Sequence, residues 1–177
     1  KIGNNIEGEN ENDHFGNTVS ISNDGSIVAG GSVYNNNSTG HVKIYKLENN
    51  SWNQIGDDIE GEATYDLSSF SINLSGDGKL ITISAPDNDG IEPTNKRYNS
   101  GHVRVYEQHT DINGIITWNK IGEDIDGEDQ FDKSGDSVKI VKTDDNKYIL
   151  AIGSIYNGDR NPPHTNITPG HVRIYEW

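Results

Sequence analysis

Three copies of one short sequence word constrain the fold of this chain more than any other feature. Gly40-His41-Val42-Lys43-Ile44-Tyr45 returns as Gly101-His102-Val103-Arg104-Val105-Tyr106 and again as Gly170-His171-Val172-Arg173-Ile174-Tyr175, at spacings of 61 and 69 residues. A second word, Ile55-Gly56-Asp57-Asp58-Ile59-Glu60-Gly61-Glu62, matches Ile121-Gly122-Glu123-Asp124-Ile125-Asp126-Gly127-Glu128. The amino terminus carries it too, as Ile2-Gly3-Asn4-Asn5-Ile6-Glu7-Gly8-Glu9. Two markers recurring in one order define three tandem repeats, about 1–52, 53–118 and 119–177, within a single domain.

Each repeat reads as short strands in sequence. In the second, Phe70, Ile72 and Leu74 alternate with polar residues, the period of a half-buried strand. Gly76-Asp77-Gly78 supplies a tight turn, because Asp-Gly tolerates the positive φ angles of a hairpin. Leu80 to Ser84, His102 to Glu107 and the stretch near Thr117 to Ile121 complete four strands. The first copy repeats the order from Val19, with its turn at Asp24-Gly25, and the third from Val138, with its turn near Asp145-Asn146. Apolar residues at helical spacing recur over no sustained window, and glycine and asparagine interrupt every candidate helix. The expected fold is therefore all-β: three four-stranded antiparallel repeats, each a blade of a β-propeller. A β-sandwich predicts no internal repeat of this kind. Length differences gather in the loop after the second strand: Val33 to Thr39, Asp87 to Ser100 and Tyr156 to Pro169.

Composition narrows the function. Only 31% of residues are hydrophobic, yet the regular Val/Ile/Tyr spacing is not that of a disordered chain. A net charge of −14 repels polyanions and argues against nucleic acid as a partner. With no cysteine there is no disulfide framework, zinc-thiolate site or thiol nucleophile. The longest apolar runs, such as Tyr148 to Ile152, fall far short of the ~20 residues that span a bilayer. The chain begins at Lys1 and contains no methionine, which reads as a processed chain or an excerpt.

Phe15-Gly16 before the first strand and Gly31-Ser32 after the second carry a family resemblance. The matching places hold Ser68-Ser69 with Ser84-Ala85-Pro86, then Ser134-Gly135 with Gly153-Ser154. Together with the Gly-x-Val-x-Val/Ile-Tyr strand, this resembles the FG-GAP repeat of integrin-α-type propellers. The resemblance implies a propeller used for adhesion or ligand recognition on an extracellular, cell or particle surface. The family's calcium loop is not expected here, because Asp24-Gly25 and Asp77-Gly78 are only tight turns with too few oxygen ligands.

Propellers close with about four to eight blades, so three leave a ring incomplete. The ends break the fourth strand at nearly the same point, which predicts a longer chain or head-to-tail association of copies, Trp177 beside Lys1. His41, His102 and His171 sit in separate repeats and read as structural residues rather than ligands of one ion. The acidic pairs Glu7/Glu9, Glu60/Glu62 and Asp126/Glu128 read as solvated connections. Asp87 and Asp89 in Asp87-Asn88-Asp89-Gly90 are the candidate calcium ligands, with no other cofactor expected. Asn36, Asn37, Asn49, Asn73 and Asn166 match the glycosylation acceptor pattern. No Gly-x-Ser-x-Gly elbow, phosphate loop or His-Glu-x-x-His motif is present, and every acidic cluster is repeated or lies in a turn. The expected function is thus non-enzymatic: a recognition, adhesion or structural module with a protein or glycan ligand, able to self-assemble. A lectin is the alternative, with Tyr34, Tyr98 and Tyr156 in the variable loops stacking on sugars.

Overall fold

The computed structural model describes residues 1–90, 98–158 and 169–177 and contains three antiparallel sheets, one per repeat. The first is β1 (Thr18–Ile21), β2 (Ile27–Ser32), β3 (His41–Glu48) and β4 (Ser51–Gln54) in sequence order, with β5 (Ile59–Glu60) returning to pair with β3. The second is β6 (Ile72–Leu74), β7 (Leu80–Ala85), β8 (His102–Thr110) and β9 (Ile116–Asp126). The third is β10 (Ser134–Lys142), β11 (Tyr148–Ser154) and β12 (His171–Glu176). Four strands per repeat hold in the first two sheets; the third has three among the described residues. The repeat boundaries at 52/53 and 118/119 fall inside β4 and β9, so the sheets are offset from the sequence units.

The first two strands of every sheet are joined by the turn that Asp-Gly and Asp-Asn imply. Gly25, Gly78 and Asn146 take positive φ, and a preceding hydroxyl from Ser22, Ser75 or Thr143 donates to the turn aspartate. Register then matches across copies: Ser32 faces His41, Ala85 faces His102 and Ser154 faces His171. Among the described residues the one helical segment is a single turn, Asn35–Ser38, in which Asn36 and Asn37 have positive φ.

The sheets stack face on face. Ile27, Ala29, Val42, Ile44 and Ile59 of the first meet Ile72, Leu74, Ile81 and Ile83 of the second. The opposite face of the second, Leu80, Val103 and Val105, meets Ile140, Leu150 and Ile152 of the third. Burying each Val, Ile or Leu contributes roughly 1.5–3 kcal/mol, so the inter-sheet joints are the core of the molecule. Polar links cross the same joints near the first strands. The Leu74 amide donates to Ser20 Oγ (2.9 Å), and the Ile140 amide donates to Asn73 Oδ1 (2.9 Å).

Candidate functional site

The histidine word starts the third strand of each sheet, and its alternation puts His and Lys/Arg on one face and Val/Ile on the other. On the polar face the structure assembles a recurring ionic cluster. In the second sheet, Arg104 Nε and Nη2 donate to the two oxygens of Asp124 at 3.0 and 2.8 Å, a bidentate pair. Arg104 also pairs with Glu62, which arrives from the preceding sheet, while Lys120 reaches Asp124 at 2.5 Å. In the first sheet Lys43 takes the place of Arg104, paired with Glu9 and lying 3.2 Å from Asp58. In the third, Arg173 Nη2 donates to the Asp126 carbonyl (2.8 Å) and to Ser134 Oγ (2.7 Å), and Glu128 lies 3.7 Å from His171 Nδ1.

The electrostatics follow from burial. Buried His102 is held at about 4, first by desolvation of its charged form and then by the Arg104 charge. Burial alone would raise the Asp124 carboxyl, but hydrogen bonds from Arg104 and Lys120 hold it at about 2. Lys43 is lowered by burial and raised more by Glu9 and Asp58, and ends above the ordinary lysine value. Glu9, His41 and Asp58 offer ligand atoms within 4.8 Å of one another, as do Glu62, His102 and Asp124. The positive charge those carboxylates gather around is Lys43 in one and Arg104 in the other.

The acids read from sequence as solvated connections are therefore partly the stitches between sheets. Glu9, Glu62 and Glu128 each lead into a sheet and reach its third strand. The sequence held the signal: a cation two residues after every repeated histidine, opposite a carboxylate at a fixed place in every second word.

The variable loops are closed by a device that sequence reasoning missed. Asn35 donates to Asp13 at 3.0 Å, Asn88 to Asp66 at 2.8 Å and Asn157 to Asp132 at 2.8 Å. The carbonyl of the same asparagine then accepts from Gly40, Gly101 or Gly170 at 3.1, 3.1 and 3.0 Å, tying the loop's two ends together. Burial raises the Asp66 carboxyl against the Asn88 hydrogen bond, whereas the Asn35 bond leads in lowering Asp13.

Tyr34, Tyr98 and Tyr156 are all about half exposed. Tyr34 and Tyr156 occupy one repeat position, two residues after the second strand, and Asp87 holds that position in the second copy. Tyr98 stands at the far end of its loop, so the three rings do not form one matching set. Tyr34 meets the His14 ring edge-on at 4.9 Å. Asp87 pairs with Lys133, and Asp89 Oδ1 accepts the Asn99 amide at 3.0 Å. Asn73 lies inside β6, Asn36 and Asn37 lie in the loop turn, Asn49 lies in the β3–β4 turn, and Asn166 lies outside the described residues.

Grooves border the joints, and two of them are lined by residues from more than one sheet. One, of about 470 Å³, lies where the first strands of the sheets approach one another, lined by Ile21, Leu74, Asp77, Val141 and Lys142 among others. Burial would raise Asp77, yet hydrogen bonds from Ser75, Lys142 and the Tyr148 hydroxyl hold it at about 2. The second groove, of about 340 Å³, lies between β5 and β9, with Asp57, Glu60, Tyr106, Trp118 and Asn119 on its walls.

No family model matches the chain, and no curated protein sequence does either. Among solved structures it is similar to Sqt1 from Chaetomium thermophilum, at 13% identity and a TM-score of 0.44. That alignment covers 89% of this chain and 34% of that one, and so loose a likeness carries no inference.

Proposed function

We propose that the chain is a non-enzymatic recognition or structural module whose three sheets are propeller blades of the FG-GAP kind. In this reading it works at an extracellular, cell or particle surface and presents its variable loops to a protein or glycan. The observation that carries it is how the repeated polar residues are used. Glu9–Lys43–Asp58 and Glu62–Arg104–Asp124 hold sheets to their connections, and the Asp–Asn pairs hold loops. Chemistry calls for a singular, pre-organised group, whereas these clusters recur in register and their carboxylates are already paired with Lys43 or Arg104. A panel of chromogenic esters, phosphates and glycosides tests this. Turnover above the buffer rate that disappears with an Arg104 or His102 variant would overturn the non-enzymatic reading.

The β5–β9 groove favours a second reading, a lectin with sites between blades. Trp118 and Tyr106 offer aromatic faces beside the oxygens of Asp57 and Glu60, the pairing of ring and acceptor that sugars require. A glycan array with and without calcium separates the two. Binding that Trp118→Ala abolishes and Tyr34→Ala spares supports the groove, the converse supports the loops, and silence at millimolar sugar removes the lectin.

A further inference from the structure

We propose that a second copy of the chain docks its first sheet on the third sheet of this one, pairing its Ile6 and Glu7 with Val172 and His171. The inference rests on the blade reading above and names its partner. It begins with two uncovered faces that complement each other. Val42 and Ile44 are 0% and 2% exposed, and Val103 and Val105 are 0% and 1%, because a following sheet covers them. Their counterparts in the third copy, Val172 and Ile174 of β12, are 66% and 62% exposed. On the opposite side, Ile72 and Leu74 are covered by the sheet before them, whereas their counterparts in β1, Val19 and Ile21, are 67% and 57% exposed. One molecule thus shows the back of a joint on its third sheet and the front of a joint on its first.

The strand ladder has the same complementarity. β3 takes on β5, with Val42 facing Ile59 and His41 facing Glu60. β8 takes on the end of β9, with Val103 facing Ile125 and His102 facing Asp126. The start of β12 has no such strand among the described residues. Nor does its polar face have, among the described residues, the carboxylate that Asp124 gives Arg104: there Arg173 Nε and His171 Nε2 are buried atoms without a hydrogen-bond partner. A buried donor left unsatisfied is unfavourable, so a group that supplies an acceptor to Arg173 Nε is favoured there.

The occupant is written in the amino-terminal word. Ile2 to Glu9 repeats Ile55 to Glu62, with Asn5 at the place of Asp58 and Asp124. That segment already makes the forward half of its contacts. Trp52 Nε1 donates to the Ile2 carbonyl at 3.2 Å, as Trp118 Nε1 does to Ile55, and Glu9 pairs with Lys43. The backward half, a third strand from a preceding sheet, is what β12 of another copy offers. Asn5 Oδ1 would then accept from Arg173 Nε. One link is not reproduced: Lys139 stands where Ser20 and Asn73 accept an amide, and its ammonium accepts nothing. The contact is head to tail, so two copies close a six-sheet ring or more copies extend as a filament.

Light scattering on the intact chain, from about 1 to 100 μM, tests this, a range that brackets micromolar association. The wild type is expected to rise with concentration from 19.5 kDa to twice that, or beyond. A tail variant, Val172→Lys with Ile174→Glu, and a head variant, Val19→Lys with Ile21→Glu, change only exposed positions and should keep the wild-type circular dichroism. Each alone should stay at 19.5 kDa, and their equimolar mixture should form a one-to-one pair. Asn5→Asp, which makes the new hydrogen bond charge-assisted, should tighten association about threefold to tenfold. A wild type fixed at 19.5 kDa throughout, a tail variant that still associates, or a mixture that does not pair would each overturn the proposal. Failure of the blade-module reading would show separately, as turnover measured on the monomeric tail variant.

Discussion

Val103 and Val172 hold the same place in the same word, yet one is wholly buried and the other two-thirds exposed. Among the described residues the second sheet is covered on both faces and the third on one. The same residues therefore serve as core in one repeat and as surface in the next. What differs is the neighbour: a following sheet lies on this face of the second sheet, and none lies on it in the third among the described residues. The polar face says the same: Arg104 is gripped by two carboxylates, while Arg173 falls back on a carbonyl and a hydroxyl.

The largest expected contrast is between Gly101 and Gly170. Both have positive φ, but a Cβ on Gly101 would lie 2.3 Å from the Ser134 carbonyl oxygen, whereas on Gly170 its nearest neighbour is the Ile155 oxygen at 3.1 Å. Gly101→Ala combines left-handed strain with a backbone clash and should cost roughly 4 kcal/mol, against about 1 for Gly170→Ala. Urea midpoints at low protein concentration check both, and equal losses would break the comparison.

Buried His102 makes the covered joint acid-sensitive. Its folded value, about 4, lies below the ordinary 6.5, so the unfolded chain takes up the proton first. Its contribution is complete above pH 6.5 and fades as the pH falls toward 4, by on the order of 3 kcal/mol in all. Stability measured from pH 7.5 to 4.5 should fall less steeply in His102→Gln than in the wild type.

Val103→Ala should cost roughly 2 kcal/mol and Val172→Ala under about 0.5, since only the first opens a cavity. The smallest effect is a gain. Ser69 sits fully buried at φ 73, where Gly16 and Gly135 stand in the other copies, and its hydroxyl has no hydrogen-bond partner. Ser69→Gly should stabilise by about 1 kcal/mol, read as a rise in melting temperature.

Much of the fold was legible because turns and strands are local. Asp24-Gly25, Asp77-Gly78 and Asp145-Asn146 mark the first hairpin of each sheet, and the histidine word marks where each third strand starts, although two of the three run on well past it, to Glu48 and Thr110. The return of Ile59-Glu60 and Ile125-Asp126 to the third strand was not legible. Gly56 and Gly122 take positive φ just before them, and the ladder shifts register between Val103 and Val105, which breaks the period-two pattern. The alternation of Phe70, Ile72 and Leu74 starts the first strand of the second sheet at Phe70, but Ser69 turns the chain and pairing begins at Ile72. The ionic clusters join residues from two sheets, a proximity that one copy read alone does not contain. The Asp13, Asp66 and Asp132 clamps lay at nearly constant separations of 22, 22 and 25 residues from their asparagines. Their regularity was visible, but buried aspartates in so acidic a chain resemble surface ones until their partners are known.

Those clamps separate what happens inside a loop from what happens below it. Asn35 and Gly40 are bound by the same hydrogen bond as Asn88 and Gly101, although the second pair lies much farther apart in sequence. With the two ends fixed, doubling the span between them adds only about 0.6 kcal/mol of closure entropy. New residues can be inserted at this one point while the stacked frame carries on unaware of them, so novelty in what the molecule touches need not be traded against the integrity of what supports it.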